Sequence, residues 1–162
     1  AAAINKAVRE ALPQLLEDFQ IIHICGREKI DNLLLNVPGY KQFEYVKAEL
    51  KDFFALADVV ISRAGANAIC ELLALKKPNV LIPLSAKSSR GDQILNARSF
   101  ESQGFSLVID EDDLAPSILV EKVHEVFCCR QTYISAMSKS DQLNSIQTIM
   151  GLIKTESCKQ DS

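Results

Sequence analysis

Apolar positions along this chain switch repeatedly between helical and strand periods. Ile4, Val8, Leu12 and Leu15 recur at helical spacing and predict an amphipathic helix over Ala3–Leu16. Phe19 to Cys25 is a β-rich apolar run ending at Gly26, and Glu28 to Asn36 reads as a short helix closed by Pro38-Gly39. Phe43 to Val46 reads as a short strand, and Leu50 to Leu56 as a helical turn or two leading into a strand over Asp58–Ser62. A helix over Ala66–Leu75, a strand over Asn79–Leu84, a helix over Asp92–Gln103 ending at Gly104 and a strand over Ser106–Ile109 follow. Acids before Pro116 open a further helix to Phe127. A last helix is predicted over Asp141–Ile153, with Leu143, Ile146, Ile149, Met150 and Ile153 on one face, and then a polar tail from about 155 to 162.

Strands alternating with helices of about ten residues predict a parallel sheet covered on both faces, a doubly wound, Rossmann-like α/β domain over residues 1–154. The continuous runs Val59-Val60-Ile61 and Val80-Leu81-Ile82 mark its central strands, buried on both sides. A length of 162 residues fits one such domain.

Composition narrows the partners. With a net charge of −3, no overall field favours nucleic acid or an anionic membrane. No apolar run approaches the roughly 20 residues of a spanning helix, and Ala1–Val8 lacks the pattern of a signal peptide. The five cysteines form no spaced pairs, which argues for a reducing compartment and against a disulfide framework. They read as buried small hydrophobes plus an exposed thiol in the tail. No CxxC or Cys/His cluster suggests a metal site, and no GxSxG, HExxH, His-paired Cys or DxD supplies a reaction centre.

The chemistry concentrates between Ala57 and Ala97, where two strand–loop–helix units succeed each other. Arg63-Ala64-Gly65-Ala66 puts small residues at a helix start, where free N–H groups and the helix dipole suit an anion. Gly65 also suits a bare strand-to-helix turn, since GxGxxG and GxxxxGKS are both absent. Glu71 interrupts an apolar helix as a solvated position or as an acceptor for vicinal sugar hydroxyls. Asp92 fits a helix N-cap. Gln93 and Asn96, three residues apart, share a face and offer amide donors and acceptors to hydroxyls. The loop Lys87-Ser88-Ser89-Arg90-Gly91 before them reads as basic and flexible, touching a diphosphate or simply solvated.

Together, ADVVISRAGANAICELLALKKPNVLIPL and DQILNA resemble the C-terminal, donor-binding domain of the MurG family, UDP-N-acetylglucosamine transferases of peptidoglycan synthesis. The likeness runs from Ile4-Asn5 to about Phe127. It implies the C-terminal half of a two-domain GT-B glycosyltransferase with inverting chemistry, a chain that begins at or just past the family's Gly-rich loop, and an N-terminal acceptor domain outside it. It implies UDP-N-acetylglucosamine as donor, a lipid-linked acceptor and a peripheral place at the inner face of a bacterial membrane. No cofactor, nucleic acid or catalytic residue within this chain is implied, and metal dependence stays open. The matching positions are Glu71 for the ribose, Ala66 and its neighbours Arg63, Gly65 and Asn67 at the donor loop, Asp92, Gln93 and Asn96 near the N-acetylglucosamine, and Val46 for the uracil edge. The chain departs from many relatives in carrying Asn67-Ala68 where they carry Ser-Thr, and Asp92 where some have Gln or His. A stand-alone donor subunit of a two-component transferase and a non-catalytic Rossmann-type nucleotide-binding module are the alternatives.

Overall fold

The computed structural model describes residues 2–140; Ala1, the predicted helix Asp141–Ile153 and the tail lie outside the described residues. The elements in order are α1 (Ala2–Leu15), β1 (Ile21–Ile24), a 3-10 turn (Asn32–Leu34), β2 (Tyr40–Phe43), α2 (Leu50–Leu56), β3 (Val60–Ser62), α3 (Ala66–Ala74) and β4 (Asn79–Leu81). They continue as α4 (Ala86–Ser89), α5 (Asp92–Ser102), β5 (Ser106–Val108), a 3-10 turn (Glu111–Asp113) and α6 (Pro116–Cys128). Residues 130–140 are helical as well.

All strand pairings among the described residues are parallel, as the alternation predicts. They form two hydrogen-bonded pieces rather than one continuous sheet: β1 with β2, and β3-β4-β5 in that order. β4 shows why the apolar runs are unbroken. Val80 and Ile82 enter a layer built on α1 and α6, with Leu12, Leu119 and Val126. Leu81, on the opposite face, enters a layer built on α3 and α5, with Leu72, Ala97 and Phe100. Both layers are built of buried apolar side chains, so each face of the strand must be apolar. Lys77 steadies the second piece by donating from Nζ to the Ala55 and Ala57 carbonyls at the end of α2, at 3.2 and 3.1 Å.

Four expectations are corrected. The segment Glu28–Asn36 makes only the 3-10 turn, because Asp31 caps it by accepting from Leu33 N–H at 3.0 Å while Leu33 itself is 91% exposed. The second strand is Tyr40–Phe43, not Phe43–Val46: its polar residues are used internally, with Tyr40 and Gln42 both hydrogen-bonded beneath α1. The basic loop before Asp92 contains the short helix α4, which Arg90 and Gly91 end at φ +55 and +86. Among the described cysteines only Cys25 is buried; Cys70, Cys128 and Cys129 face solvent.

Candidate functional site

The carboxyl ends of β3 and β4 carry the two loops of interest, on the sheet edge where open α/β folds bind ligands. α3 begins with Gly65 as its N-cap, without a side-chain cap, and its first turn closes with Ile69 N–H on the Gly65 carbonyl at 3.1 Å. The first N–H groups of such a helix have no partner within it. Gly65 has φ −67 and ψ 148, a conformation open to any residue, and a Cβ placed on it would meet only Gln93 Nε2, at 3.9 Å. The turn therefore does not demand glycine. What the missing side chain leaves is room beside the helix N-terminus, bounded by the Gln93 amide.

The second loop is sewn to the first by the two amides that the sequence singled out. Gln93 Oε1 accepts from the Leu84 N–H at 3.0 Å, and Asn96 Nδ2 donates to the Ala64 carbonyl at 3.0 Å. Spacing on α5 puts both on one face, and the structure spends that face on loop backbone. Asp92 is not the N-cap. Gly91 takes that role, and Asp92 is the exposed first residue of α5, where a carboxylate complements the helix dipole.

Arg63 reaches the same edge with its guanidinium turned inward. Nη1 donates to the carbonyls of Ile82 and Pro83 at 3.1 and 3.4 Å, and the two Nη atoms meet the Glu111 carboxylate at 3.3 Å each. Glu111 also accepts from the Ser85 N–H at 3.3 Å. Glu111 was not anticipated: it stands within the acidic run Asp110–Asp113, and nothing in the chain distinguishes it from its neighbours.

The remaining positions differ in how free they are. Ala66, Asn67 and Glu71 are exposed along α3, and among the described residues no hydrogen bond or ion pair holds the Glu71 carboxylate. Val46 lies in the irregular segment between β2 and α2, and among the described residues its backbone N–H and C=O have no partner. No hydrogen bond links it to the Gln93–Asn96 cluster among the described residues.

Between the two strand groups runs a crevice of about 410 Å³, lined by Asn5, His23, Phe54, Ser62 and Arg63 among others. Its floor is a buried polar chain that the sequence reading missed. Asn5 Nδ2 donates to the Cys25 carbonyl at 2.8 Å, which turns Asn5 Oδ1 toward His23 Nε2, also at 2.8 Å. Nε2 must then carry the proton, and Nδ1 accepts from the Tyr40 hydroxyl at 2.6 Å. Burial, with a smaller push from the Arg9 charge, lowers the His23 pKa to about 4, so the ring is neutral. Among the described residues no group of three His, Cys, Asp or Glu is placed to hold a metal ion.

Parallel strands wrapped by helices on both faces, with two small-residue loops meeting at the carboxyl edge, define a Rossmann-like α/β domain. Two solved structures share this architecture: Acinetobacter baumannii MurG, with a TM-score of 0.71 and 23% identity over 94% of this chain and 46% of that one, and a glycotransferase of kitacinnamycin, with a TM-score of 0.70 and 24% identity over 83% and 33%. The chain belongs to the glycosyltransferase family 28 C-terminal domain family, whose model matches residues 1–153. Two relatives, from Lachnospira eligens and Lachnoclostridium phytofermentans, are 55% and 56% identical over 97% and 95% of the chain. Both are named UDP-N-acetylglucosamine–N-acetylmuramyl-(pentapeptide) pyrophosphoryl-undecaprenol N-acetylglucosamine transferase. The chain spans 44% and 43% of their lengths.

Proposed function

We propose that this chain binds UDP-N-acetylglucosamine as the donor half of a transferase that adds N-acetylglucosamine to undecaprenyl-diphosphate-linked muramoyl-pentapeptide. The observation that carries the reading is the construction of α3: an N-terminus without a side-chain cap, beside which Gly65 leaves room, with the exposed Glu71, unpartnered among the described residues, on the same helix. The names of the relatives support the donor and acceptor chosen.

In this reading the diphosphate sits over the α3 N-terminus, beside Ala66 and Asn67. Backbone N–H groups and the helix dipole stabilise it there, and stabilise it more as the bond to the sugar breaks. Glu71 accepts from the ribose hydroxyls, and the Val46 backbone reads the uracil edge. Asp92, Gln93 and Asn96 flank the sugar. Transfer forms a bond from an acceptor oxygen to the sugar C1 and breaks the bond from C1 to the UDP oxygen. The acceptor proton leaves to a base outside this chain. The lipid acceptor and the inner membrane face are reached through the rest of the protein, and no described helix is long and apolar enough to cross a membrane.

Calorimetry with UDP, UDP-N-acetylglucosamine and NAD tests the donor. Binding of the two uridine ligands is expected; binding of NAD with no response to UDP would overturn the reading. Glu71→Ala is expected to cost on the order of 1.5–3 kcal/mol of UDP affinity, the range for a hydrogen bond to a charged group. A Glu71→Ala variant that binds UDP like the wild type removes the ribose role. Gly65→Ala separates turn from ligand. Its backbone is compatible with alanine, which offsets the weaker N-cap, so stability is expected to stay within about 1 kcal/mol. UDP-N-acetylglucosamine affinity is nevertheless expected to fall, because the added methyl occupies the approach to the N–H groups. Unchanged affinity in a folded Gly65→Ala protein would place the diphosphate elsewhere.

A further inference from the structure

Leu84 is gripped from both sides by groups remote in sequence. Arg63 Nη1 holds the carbonyls of Ile82 and Pro83, at 3.1 and 3.4 Å, and Glu111 Oε2 holds the N–H of Ser85, at 3.3 Å. Arg63 and Glu111 are themselves joined by a two-pronged pair, Nη1 to Oε2 and Nη2 to Oε1, both 3.3 Å. Their side chains are 18% and 26% exposed, so the pair escapes much of the screening that weakens surface ion pairs. The backbone so held presents the Leu84 N–H to Gln93 Oε1 at 3.0 Å.

This contact has a directional consequence. A side-chain amide has an acceptor end and a donor end. With Oε1 engaged on Leu84, the end of Gln93 left without a partner among the described residues is Nε2, and Nε2 lies beside the α3 N-terminus, 3.9 Å from where a Gly65 Cβ would stand. We infer that Arg63 and Glu111 form a positioning pair that fixes the Pro83–Ser85 backbone and thereby turns Gln93 as an N–H donor toward the donor sugar. The inference rests on the donor-site reading above. It gives Arg63 a role through the loop instead of on the ligand. It also ties the effect to one part of the ligand: an N–H donor recognises an oxygen of the sugar or of its acetamido group, whereas Glu71 and the α3 N-terminus address the UDP portion.

The test is a double-mutant cycle in the full-length protein, read by calorimetry with UDP and with UDP-N-acetylglucosamine and by thermal melting. Glu111→Gln is expected to weaken UDP-N-acetylglucosamine by about ten-fold, the upper range for one neutral hydrogen bond, while changing UDP affinity by less than about three-fold. In a Gln93→Ala background the same substitution is expected to have no further effect, since the two act through one contact. Arg63→Lys, which keeps the charge but loses the planar fork, is expected to reproduce the selective loss and serves if Glu111→Gln melts below the assay temperature. Equal factors for the two ligands, including no loss in either, would overturn the positioning role. So would losses that multiply between Glu111→Gln and Gln93→Ala. A wild type that binds neither uridine ligand overturns the donor reading itself, and this inference with it.

Discussion

Acidification from pH 7 to pH 4 is expected to remove about 3 kcal/mol of stability through His23 alone. The folded protein holds this ring neutral, with a pKa lowered to about 4 against 6.5 for a free histidine, first by burial and then by the Arg9 charge. Between those values the unfolded chain takes up a proton that the folded chain refuses, so unfolding gains as pH falls. The contribution is complete above about 6.5, shrinks through the window and is gone below about 4. The gap corresponds to about 3 kcal/mol, at roughly 1.4 kcal/mol per pH unit. The geometry explains the refusal: Nε2 already donates to Asn5 Oδ1, and a proton on Nδ1 would face the Tyr40 hydroxyl that now donates to it.

His124 works in the opposite direction. Its Nε2 meets Asp18 and its Nδ1 meets the Val120 carbonyl, both at 2.8 Å, so two acceptors favour the charged ring and raise its pKa. That stabilisation is present at low pH and fades as pH rises through the raised pKa. The pair is solvent-exposed, so salt weakens it. Urea unfolding at several pH values in high salt therefore isolates His23. A flat stability between pH 6.5 and 4.5 under those conditions would contradict a neutral buried ring, and His23→Gln is expected to flatten a curve that otherwise slopes.

The buried histidine also marks where sequence reading stops. The fold was legible because burial on both faces writes itself as unbroken apolar runs, as in Val80-Leu81-Ile82, and because Gly104 and Pro116 mark helix ends. Segments whose polar residues turn inward were misread. Lys41 and Gln42 look like a loop, yet Gln42 completes a half-buried network with Arg9 and Asp31, and the strand runs through it. The apolar run Leu33-Leu34-Leu35 reads as part of a short helix over Glu28–Asn36, yet Leu33 and Leu35 are exposed. At the site, spacing and the family resemblance select Gln93 and Asn96, but their partners are backbone groups nine and 32 residues away, which no local pattern encodes. Glu111 is the extreme case. It sits 48 residues from Arg63, and only the folded sheet edge brings the two together.

Leu81→Ala is expected to cost about 3–5 kcal/mol, the upper part of the range for deleting a core leucine. Leu81 is fully buried at the carboxyl end of β4, the middle strand of β3-β4-β5, and shares its apolar layer with Ala64 of the first loop. Its neighbours Leu72 on α3 and Ala97 on α5 belong to helices held against the sheet from outside. Those helices cannot collapse inward without shifting Asn96 off the Ala64 carbonyl, so the cavity stays largely open and its full penalty is felt. For a domain of this size the loss corresponds to a fall in melting temperature on the order of 10 °C. The same geometry predicts an indirect effect on the ligand. Below the melting transition, Leu81→Ala is expected to weaken UDP-N-acetylglucosamine modestly, because α3 and α5 bear both halves of the proposed site on the layer that has been hollowed. Val80→Ala removes side-chain volume from the α1 and α6 layer instead, and is expected to lower stability without touching affinity. Melting curves and calorimetry on the two variants decide the matter. A Leu81→Ala protein with wild-type stability would mean that the α3–α5 layer repacks freely, and the rigid placement of the loops above it would then have no support from the core.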